Sequence, residues 1–344
     1  MKALMKIKSG FGNLQLMDLP VPICGPTDIK IKVHYSGLCG TDLHIYHDSY
    51  KNDPPVVIGH EFSGEVIEVG KEVDNIQRGD NVMILPSVAR RCKKCSYCKQ
   101  GYYFFCKKQK SLGSGVNGSF TEYVIAPEEA AYKVPPTISM KEAALAEPLA
   151  CAVQAVEELT EIHAGDWVLV SGPGPIGLLC ISLLVAKGCN VIVTGTTQDK
   201  TRLDIAKELG AHTTIDIFTE DFKKIIDQLT LGAGVNIAIE CSGAGSAIET
   251  SLNLLKKMGK YIQVGIIGDK VEIDIDLILY KQIQFFGSYA HSMKTWEKVQ
   301  NILSHKTVNL KPIITDIIPL SDWQKAFEIF ESKKCGKILM YYDF

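Results

Sequence analysis

The pattern of apolar and polar positions along the chain changes character near residue 152. Before that point, short runs of alternating apolar and polar residues are interrupted repeatedly by Gly and Pro. Alternation with a period of two is typical of half-buried strands, so this part predicts irregular antiparallel β structure. The runs that carry the prediction are 29–35 (IKIKVHY), 64–69 and 81–85.

After residue 152 the chain alternates between short apolar strands, glycine turns and helices. This alternation is typical of a parallel sheet with helices on both faces. From about residue 290 the pattern changes again and predicts two helices, at 295–303 and 321–332, and a terminal strand at 337–341. The elements predicted between these limits are strands at 167–171, 191–194 and 235–240 and helices at 176–187 and 200–209.

Length and charge narrow the class of protein. A chain of 344 residues is long for one core, so about two domains are expected. The formal net charge of −2 and the absence of charge runs argue against a nucleic-acid partner. The longest apolar stretch, 176–186, is shorter than the roughly 20 residues that span a bilayer, so no membrane partner is expected. Residues 1–10 lack the pattern of a secretory signal, which makes the reducing cytoplasm the expected compartment.

One group of cysteines has the spacing of a metal site. Cys92, Cys95, Cys98 and Cys106 form a Cys-x2-Cys-x2-Cys-x7-Cys run, which we call the cysteine run. Four thiolates this close favour a closed tetrahedral zinc site, whereas two loop disulfides, the alternative, are disfavoured in a reducing compartment. The remaining cysteines have no ligand-like spacing and are interpreted as ordinary core or surface residues: Cys24, Cys151, Cys180, Cys189, Cys241 and Cys335.

A glycine motif lies between the first strand of the α/β part and its helix. Gly172 can make the tight turn, Gly174 lets the backbone approach a pyrophosphate, and Gly177 allows close packing of helix on strand. The free N–H groups and the positive end of the helix then bind the phosphates. The alternative is a glycine turn that serves only chain reversal. The predicted phosphate-binding residues are Gly172, Pro173, Gly174, Pro175, Ile176 and Gly177.

The end of the second strand bears on the choice of cofactor. Gly195 stands where dinucleotide-binding proteins usually place an acid that binds the adenosine ribose. Without that carboxylate a 2′-phosphate is not repelled, while Thr196 and Thr197 offer hydroxyls and Lys200 and Arg202 offer positive charge. These residues favour NADP over NAD. The alternative is that Lys200 and Arg202 form only the solvated face of a helix.

A second set of candidate metal ligands is scattered through the β-rich part. It comprises Cys39, His60, Glu61 and Glu147. Their spacing alone does not show that they meet, because a single His or Cys is more often a packing residue than a ligand. Three protein ligands and one exchangeable position would suit a catalytic zinc, which acts as a Lewis acid on a hydroxyl or carbonyl oxygen.

Together these motifs resemble the zinc-dependent medium-chain alcohol dehydrogenase family, in its branch of sorbitol (polyol) and threonine dehydrogenases. The resemblance extends over essentially the whole chain. It is carried by GLCGTDLH at 37–44, GHEFSGEV at 59–66, the cysteine run, AEPLA at 146–150 and GPGPIG at 172–177.

The resemblance implies an α/β protein of two domains. A GroES-like, β-rich zinc catalytic domain would be formed by residues 1–151 and 290–344. A Rossmann dinucleotide-binding domain with a doubly wound parallel sheet would be formed by residues 152–289. The resemblance further implies catalysis in the cleft between the domains and a homo-oligomer, a tetramer in bacterial-type members of this branch.

The resemblance also implies roles for residues at the zinc. Cys39, His60 and Glu61 would bind the catalytic zinc, and Glu147 would alternate between ligand and water holder. Asp42 would orient His60, because a carboxylate on the far ring nitrogen fixes the tautomer. The cysteine run would hold a second, structural zinc that is remote from catalysis.

By the same resemblance, an alcohol activated by the metal gives a hydride to the nicotinamide. Thr41 would accept the proton and pass it through the nicotinamide ribose to His44, unless His44 is only a surface histidine. Nicotinamide-pocket residues would be Val264, Gly265, Ile266, Ser288 and Tyr289.

The segment GSYAHSMKTW at 287–296 departs from the family pattern, since sorbitol dehydrogenases carry an arginine here that helps hold the polyol. Ser288, Tyr289 and His291 are polar enough for a hydroxylated substrate, so a secondary alcohol such as a polyol or sugar alcohol is expected. L-Threonine 3-dehydrogenase or 2,3-diol dehydrogenase activity is the alternative within the family.

Two alternatives to a zinc-dependent dehydrogenase stay open. One is a zinc-stabilised NADPH-binding protein without dehydrogenase activity, and the other is a quinone-type reductase without catalytic zinc. Zinc-free reductases lack the set of four candidate ligands at 39, 60, 61 and 147, and this chain keeps all of them.

Overall fold

The computed structural model describes residues 1–344 and arranges them in three sheets with helices packed around them. The strands are β1 (Lys2–Lys6), β2 (Leu14–Asp18), β3 (Asp28–Gly37), β4 (Val56–Val57), β5 (Glu61–Val69), β6 (Asn81–Ile84), β7 (Tyr123–Pro127), β8 (Ala131–Lys133), β9 (Trp167–Ser171), β10 (Asn190–Gly195), β11 (Thr213–Asp216), β12 (Val235–Glu240), β13 (Leu255–Gln263), β14 (Gln284–Gly287), β15 (Ile314–Pro319) and β16 (Lys337–Tyr341).

Eleven α-helices connect and cover these strands, and none of them has the length and apolar character needed to cross a membrane. They are α1 (Gly40–Tyr46), α2 (Ser96–Lys99), α3 (Met140–Ala143), α4 (Ala146–Val153), α5 (Pro175–Ala186), α6 (Lys200–Glu208), α7 (Phe222–Leu229), α8 (Gly245–Leu254), α9 (Asp276–Lys281), α10 (Met293–Ser304) and α11 (Trp323–Glu331).

The six-stranded sheet contains the α/β part of the chain. Its strands lie in the order β11-β10-β9-β12-β13-β14, and every neighbouring pair is parallel. This is the strand order of a doubly wound dinucleotide-binding fold, so the predicted fold class is confirmed. Helix α5 buries every residue from Gly177 to Leu184 because it is apolar on all sides.

The β-rich part consists of a seven-stranded and a three-stranded sheet. The larger sheet has the order β15-β16-β3-β5-β6-β8, with β7 also paired to β3, and the smaller has the order β2-β1-β4. The C-terminal strand β16 pairs antiparallel with β3, with Leu339 opposite Gly37. Strands from the first and the last part of the sequence therefore contribute to one sheet.

Helix α4 joins the two parts. It packs against β5 of the β-rich sheet and against α5 of the α/β part, so a residue of α4 can lie between them. The largest apolar cluster likewise continues from β3 and β5 into β9 and α5. The predicted domain boundaries, at 151/152 and 289/290, stay a prediction.

Candidate active site and metal centres

The first group of candidate ligands is brought together by strand pairing. Cys39 lies directly before α1, His60 directly before β5, and Glu61 is the first residue of β5. One donor atom from each of the three lies within 4.8 Å of the others. β3 places Gly37 opposite Glu61, and a Cβ at Gly37 would lie 2.2 Å from Glu61 Oε2, so only glycine leaves room for this carboxylate. A thiolate, an imidazole and a carboxylate that converge on one point are a suitable set of ligands for zinc.

Asp42 lies behind this group, where the sequence predicted that it orients His60. The carboxylate of Asp42 is buried and accepts backbone N–H bonds from Cys39 at 3.0 Å and Gly59 at 3.2 Å. Its Oδ1 lies 3.7 Å from His60 Nδ1, so Nε2 is left for a ligand. Burial opposes the charged imidazole, but Asp42 and Cys39 together raise the pKa of His60 well above its ordinary value.

Lys337 completes the first group and was missed in the sequence. Its Nζ donates to both carboxylate oxygens of Glu61, at 2.6 and 2.9 Å, and to the carbonyl oxygen of Leu38 at 3.0 Å. Burial alone would lower the pKa of Lys337, but the Glu61 carboxylate raises it. No local signal marks Lys337, because only the pairing of β16 with β3 brings it to Glu61.

Glu147 belongs to a second, neighbouring group with Cys151 and His291, whose donor atoms also lie within 4.8 Å of one another. Glu147 and Cys151 are one turn apart on α4, and His291 Nε2 lies 3.1 Å from Glu147 Oε1. Burial raises the pKa of Glu147, but the hydrogen bond and charge of His291 and the charge of His60 lower it overall. Cys151 was interpreted from the sequence as an ordinary residue; here burial and the nearby carboxylates raise its pKa well above the usual range.

The four sulfur atoms of the cysteine run converge on one point and do not pair as disulfides. The run winds around this point through the short helix α2. Backbone N–H groups point at the sulfur atoms, from Cys95 to Cys92 Sγ at 3.3 Å and from Cys98 to Cys95 Sγ at 3.5 Å. Backbone hydrogen bonds from Lys94 and Cys95 lower the pKa of Cys92 to about 6, which favours the thiolate that a metal needs.

Aromatic side chains connect the cysteine run to the candidate active site. The Tyr289 ring lies 6.3 Å from the ring of Phe104 and 6.4 Å from that of Phe105, both within the run. Tyr50 faces the same region, and burial and Tyr289 raise its pKa to about 12, so it remains a neutral phenol. Tyr289 thus links the aromatic residues of the cysteine run to Tyr50.

The predicted proton-relay residues lie on one helix. Thr41 and His44 are both half-buried on α1, and His44 Nδ1 lies 3.1 Å from the exposed Ser49 Oγ. His44 thus reaches solvent-facing groups at the end of the helix. The relay itself stays a prediction.

The glycine motif has the backbone geometry that phosphate binding needs. Gly172 has φ +91°, and a Cβ there would lie 2.7 Å from Ser242. A Cβ at Gly177 would lie 2.1 Å from the Gly172 carbonyl oxygen, whereas a Cβ at Gly174 would meet nothing within 4 Å. Gly172 and Gly177 close the turn, and the position of Gly174 between them is open to a ligand. The N-terminus of α5 has no side-chain cap, so its N–H groups are free for an anion.

Two further segments reach the same edge of the parallel sheet. The residues Val264, Gly265 and Ile266 follow β13, and Ser288 and Tyr289 follow β14. Because ligands of doubly wound sheets bind outside the carboxyl ends of the strands, their location is suitable for a nicotinamide pocket.

Arg202 requires a correction. The sequence suggested that it offers charge to a 2′-phosphate, but the side chain is buried, with 6% exposure of the residue. Its Nε donates to the carbonyl oxygen of Cys335 at 2.6 Å, and Nη1 lies 3.5 Å from Asp199 Oδ1. Arg202 therefore ties the α/β part to the C-terminal segment and is not available to a cofactor.

The two threonines are also engaged. Thr196 Oγ1 donates to Asp199 Oδ2 at 2.7 Å, and Thr197 Oγ1 donates to Asp216 Oδ2 at 2.7 Å. These bonds place two carboxylates beside the predicted 2′-phosphate position. Lys200 is exposed and is the one cation of the predicted set that remains free.

Comparisons with known proteins identify the family and support the fold. Residues 25–136 match the family described as alcohol dehydrogenase GroES-like domain, and residues 175–305 match that described as zinc-binding dehydrogenase. A sorbitol dehydrogenase of Halalkalibacterium halodurans is 39% identical over 341 residues, which cover 99% of each chain. An L-threonine 3-dehydrogenase of Pyrococcus horikoshii is 36% identical over 98% of each chain. The crystal structure of 2R,3R-butanediol dehydrogenase from Bacillus subtilis superposes with a TM-score of 0.89 at 30% identity over 99% of each chain.

Proposed function

Since the chain belongs to the zinc-dependent medium-chain alcohol dehydrogenase family, we propose that it oxidises the secondary hydroxyl of a polyol or sugar alcohol to a ketone, with NAD(P) as hydride acceptor. The enzyme class, a zinc-dependent alcohol dehydrogenase that uses a nicotinamide cofactor, follows from the family. The observation that carries the proposal is the group of Cys39, His60 and Glu61 beside Glu147, on the helix that joins the two parts of the fold.

The residues have distinct tasks in this reaction. Cys39, His60 and Glu61 would hold the catalytic zinc, and the cysteine run would hold a second zinc. When bound, the catalytic ion supplies Lewis acidity to the substrate oxygen. Thr41 would accept the hydroxyl proton while passing its own towards His44, which would exchange a proton with solvent because its ring lies against the exposed Ser49.

A neutral, hydroxylated substrate suits the charges at the site. Lys337 is bound to Glu61, and both ring nitrogens of His291 are engaged, so neither is free to bind a carboxylate. L-Threonine, which needs anchors for a carboxylate and an ammonium group, is therefore disfavoured. Tyr50 and Tyr289 offer phenols to hydroxyl groups. A vicinal 2,3-diol is the second candidate, supported by the likeness to the butanediol dehydrogenase.

The test is a screen of initial rates with sorbitol and other polyols, 2,3-butanediol, simple secondary alcohols and L-threonine, each with NAD and with NADP. Zinc per chain is counted in the same preparation by atomic emission. We expect two zinc ions and the highest kcat/KM with a polyol. A rate with L-threonine above all others would contradict the substrate assignment. Two bound zinc ions with no turnover of any alcohol would support the alternative of a zinc-stabilised binding protein.

The preference between NADP and NAD is a finer part of the proposal. The absence of an acid at Gly195 and the free charge of Lys200 favour NADP, whereas Asp199 and Asp216 oppose a 2′-phosphate. We propose that both cofactors are used and that kcat/KM is roughly tenfold higher with NADP than with NAD. This ratio corresponds to about one charge-assisted contact to the 2′-phosphate.

We also propose a cytoplasmic homotetramer. Strand β14 is an open edge of the parallel sheet, and large apolar side chains are exposed beside it, among them Ile275 (67%), Leu279 (66%) and Tyr280 (76%). An open, apolar edge strand is a template for pairing with a second copy. The cysteine run exposes a second aromatic surface, with Tyr97 and Phe105 at 49% and 50%. Light scattering at micromolar concentration should report a tetramer, and a monomer would contradict the proposal.

A further inference from the structure

The environment of His291 is unusually well defined for a residue in a loop between strand β14 and helix α10. The residue is 1% exposed. Its ring Nδ1 accepts a hydrogen bond from Trp296 Nε1 at 2.9 Å, and its Nε2 lies 3.1 Å from Glu147 Oε1. Its carbonyl oxygen accepts a hydrogen bond from Tyr103 Oη at 3.1 Å. Every polar atom named here has a partner within the protein.

The contact with Trp296 determines the tautomer of His291. An indole N–H can only donate, so Nδ1 must be the unprotonated nitrogen that accepts it. In the neutral imidazole the proton then resides on Nε2, which must donate to Glu147. A nitrogen that carries a proton cannot bind a metal, so His291 is a hydrogen-bond donor to Glu147 and not a ligand. Its proximity to Glu147 and Cys151 is therefore not a second metal site.

Both residues that hold His291 are themselves fixed. Trp296 is 0% exposed and its ring lies 5.0 Å from that of Tyr132. Tyr103 is 1% exposed, lies between the third and fourth cysteines of the cysteine run, and has the Arg91 guanidinium 5.3 Å from its ring centroid. The cysteine run thus reaches the loop of His291 through one hydroxyl group.

We propose, on the basis of the proposed function, that His291 is a positioning residue for Glu147 and that Trp296 and Tyr103 hold it in place. The Nε2–H bond occupies Oε1 of Glu147 and leaves Oε2 for another partner. Glu147 is thereby held in one orientation. A partner that fixes the orientation of a group at a metal typically changes metal affinity or activity by about 10–100-fold when it is removed.

The test compares His291→Leu, which removes the donor, with His291→Gln, whose amide can still donate. Trp296→Phe removes only the indole N–H and keeps an aromatic ring, and Trp323→Phe is the matched control, because Trp323 is also buried but packs on Phe327. The readouts are the rate at which a chelator removes the catalytic-site zinc, the visible absorption spectrum of the cobalt-substituted enzyme, and the separate effects on kcat and KM.

We expect His291→Leu to release the catalytic-site zinc about 10–100-fold faster and to change the cobalt spectrum. We also expect a decrease in kcat that is larger than any change in KM. Trp296→Phe should change all three in the same direction by a smaller factor, and His291→Gln should restore part of the loss. Trp323→Phe should match the wild type. Tyr103→Phe should give a few-fold effect that Tyr102→Phe does not.

Unchanged zinc release and an unchanged cobalt spectrum in folded His291→Leu and Trp296→Phe would overturn the proposal. If His291→Leu does not fold, Trp296→Phe and His291→Gln decide the matter alone. A wild-type enzyme that oxidises no alcohol contradicts the proposed function, yet the zinc-release rates still test the positioning role. An active wild type with unaffected variants contradicts the positioning role only.

Discussion

The cysteine run and the group of Cys39, His60 and Glu61 are assembled in opposite ways. The run brings its four sulfur atoms together within one short segment, and its own backbone N–H groups point at them. The other group, and Glu147 beside it, depend on partners far away in the chain: Lys337 lies 276 residues from Glu61, and His291 lies 144 residues from Glu147. The first site is a product of local winding, and the second is a product of the whole fold.

The two sites also differ in their electrostatic environment. The cysteine run lies near the surface, whereas Glu61 and Lys337 are both fully buried as an ion pair. Charges removed from water are tolerated only when they are paired and hydrogen-bonded. Loss of one member should therefore lower the free energy of unfolding more in the buried pair of Glu61 and Lys337 than in the cysteine run.

The largest effect is expected for His60→Ala. Removal of the imidazole from the first group should lower kcat by about 10³ or more, roughly 4 kcal/mol, because the group can no longer hold its metal. Dinucleotide binding, measured by fluorescence titration, should change little, since the glycine motif lies on separate elements. His305→Ala, an exposed histidine on another helix end, is the control. Near-wild-type turnover of His60→Ala would show that the first group is not needed for catalysis and would contradict its distinction from the cysteine run.

The next effect concerns stability. Lys337→Met leaves the buried Glu61 carboxylate without its partner, and breaking one side of such a pair costs about 3–5 kcal/mol. The free energy of unfolding in urea should fall accordingly. Lys325→Met, an exposed lysine on α11, is the matched control and should change stability little. Equal stability of both variants would show that the pair contributes nothing to the fold.

Cys95→Ala addresses the local site. One zinc should be lost, with a decrease in stability of roughly 2 kcal/mol, because a half-filled thiolate site loses binding energy that is coupled to folding. The zinc of the first group should remain, as counted by atomic emission beside a thermal unfolding curve. Cys24→Ala, a cysteine outside both groups, provides the comparison. Retention of two zinc ions in Cys95→Ala would contradict the assignment of the run.

The smallest effect is expected at the cofactor pocket. Lys200→Gln should lower kcat/KM for NADP by about tenfold and leave that for NAD unchanged, because only a 2′-phosphate uses the charge. Lys207→Gln, also exposed on α6, is the control. Gly195→Asp is a less direct test, because a Cβ at Gly195 would lie 3.2 Å from Pro173, Asp199 and Leu203. An NADP rate unaffected by Lys200→Gln would show that this lysine is only part of a solvated helix face.

Regular periodicity allowed much of the fold to be predicted. The strands at 167–171, 235–240 and 337–341 coincide with β9, β12 and β16. The two helices predicted in the α/β part, at 176–187 and 200–209, agree with α5 and α6 within a residue or two, whereas α7, α8 and α9 were not predicted. The prediction was wrong where a charged side chain was expected to be exposed because of its charge alone. Arg202 has the pattern of an exposed helix residue, yet it binds the Cys335 carbonyl oxygen in the interior.

By itself, the sequence determined the elements whose causes are local: the glycine turn at Gly172, the convergence of the cysteine run, and the apolar strands of a parallel sheet. Only the tertiary structure decided which distant residues contact the candidate ligands. Lys337 reaches Glu61 because β16 pairs with β3, and His291 reaches Glu147 because the segment after β14 lies against α4. The physical reason is that a hydrogen bond or ion pair needs its atoms within about 3 Å, and between distant segments strand register and helix packing alone set that distance.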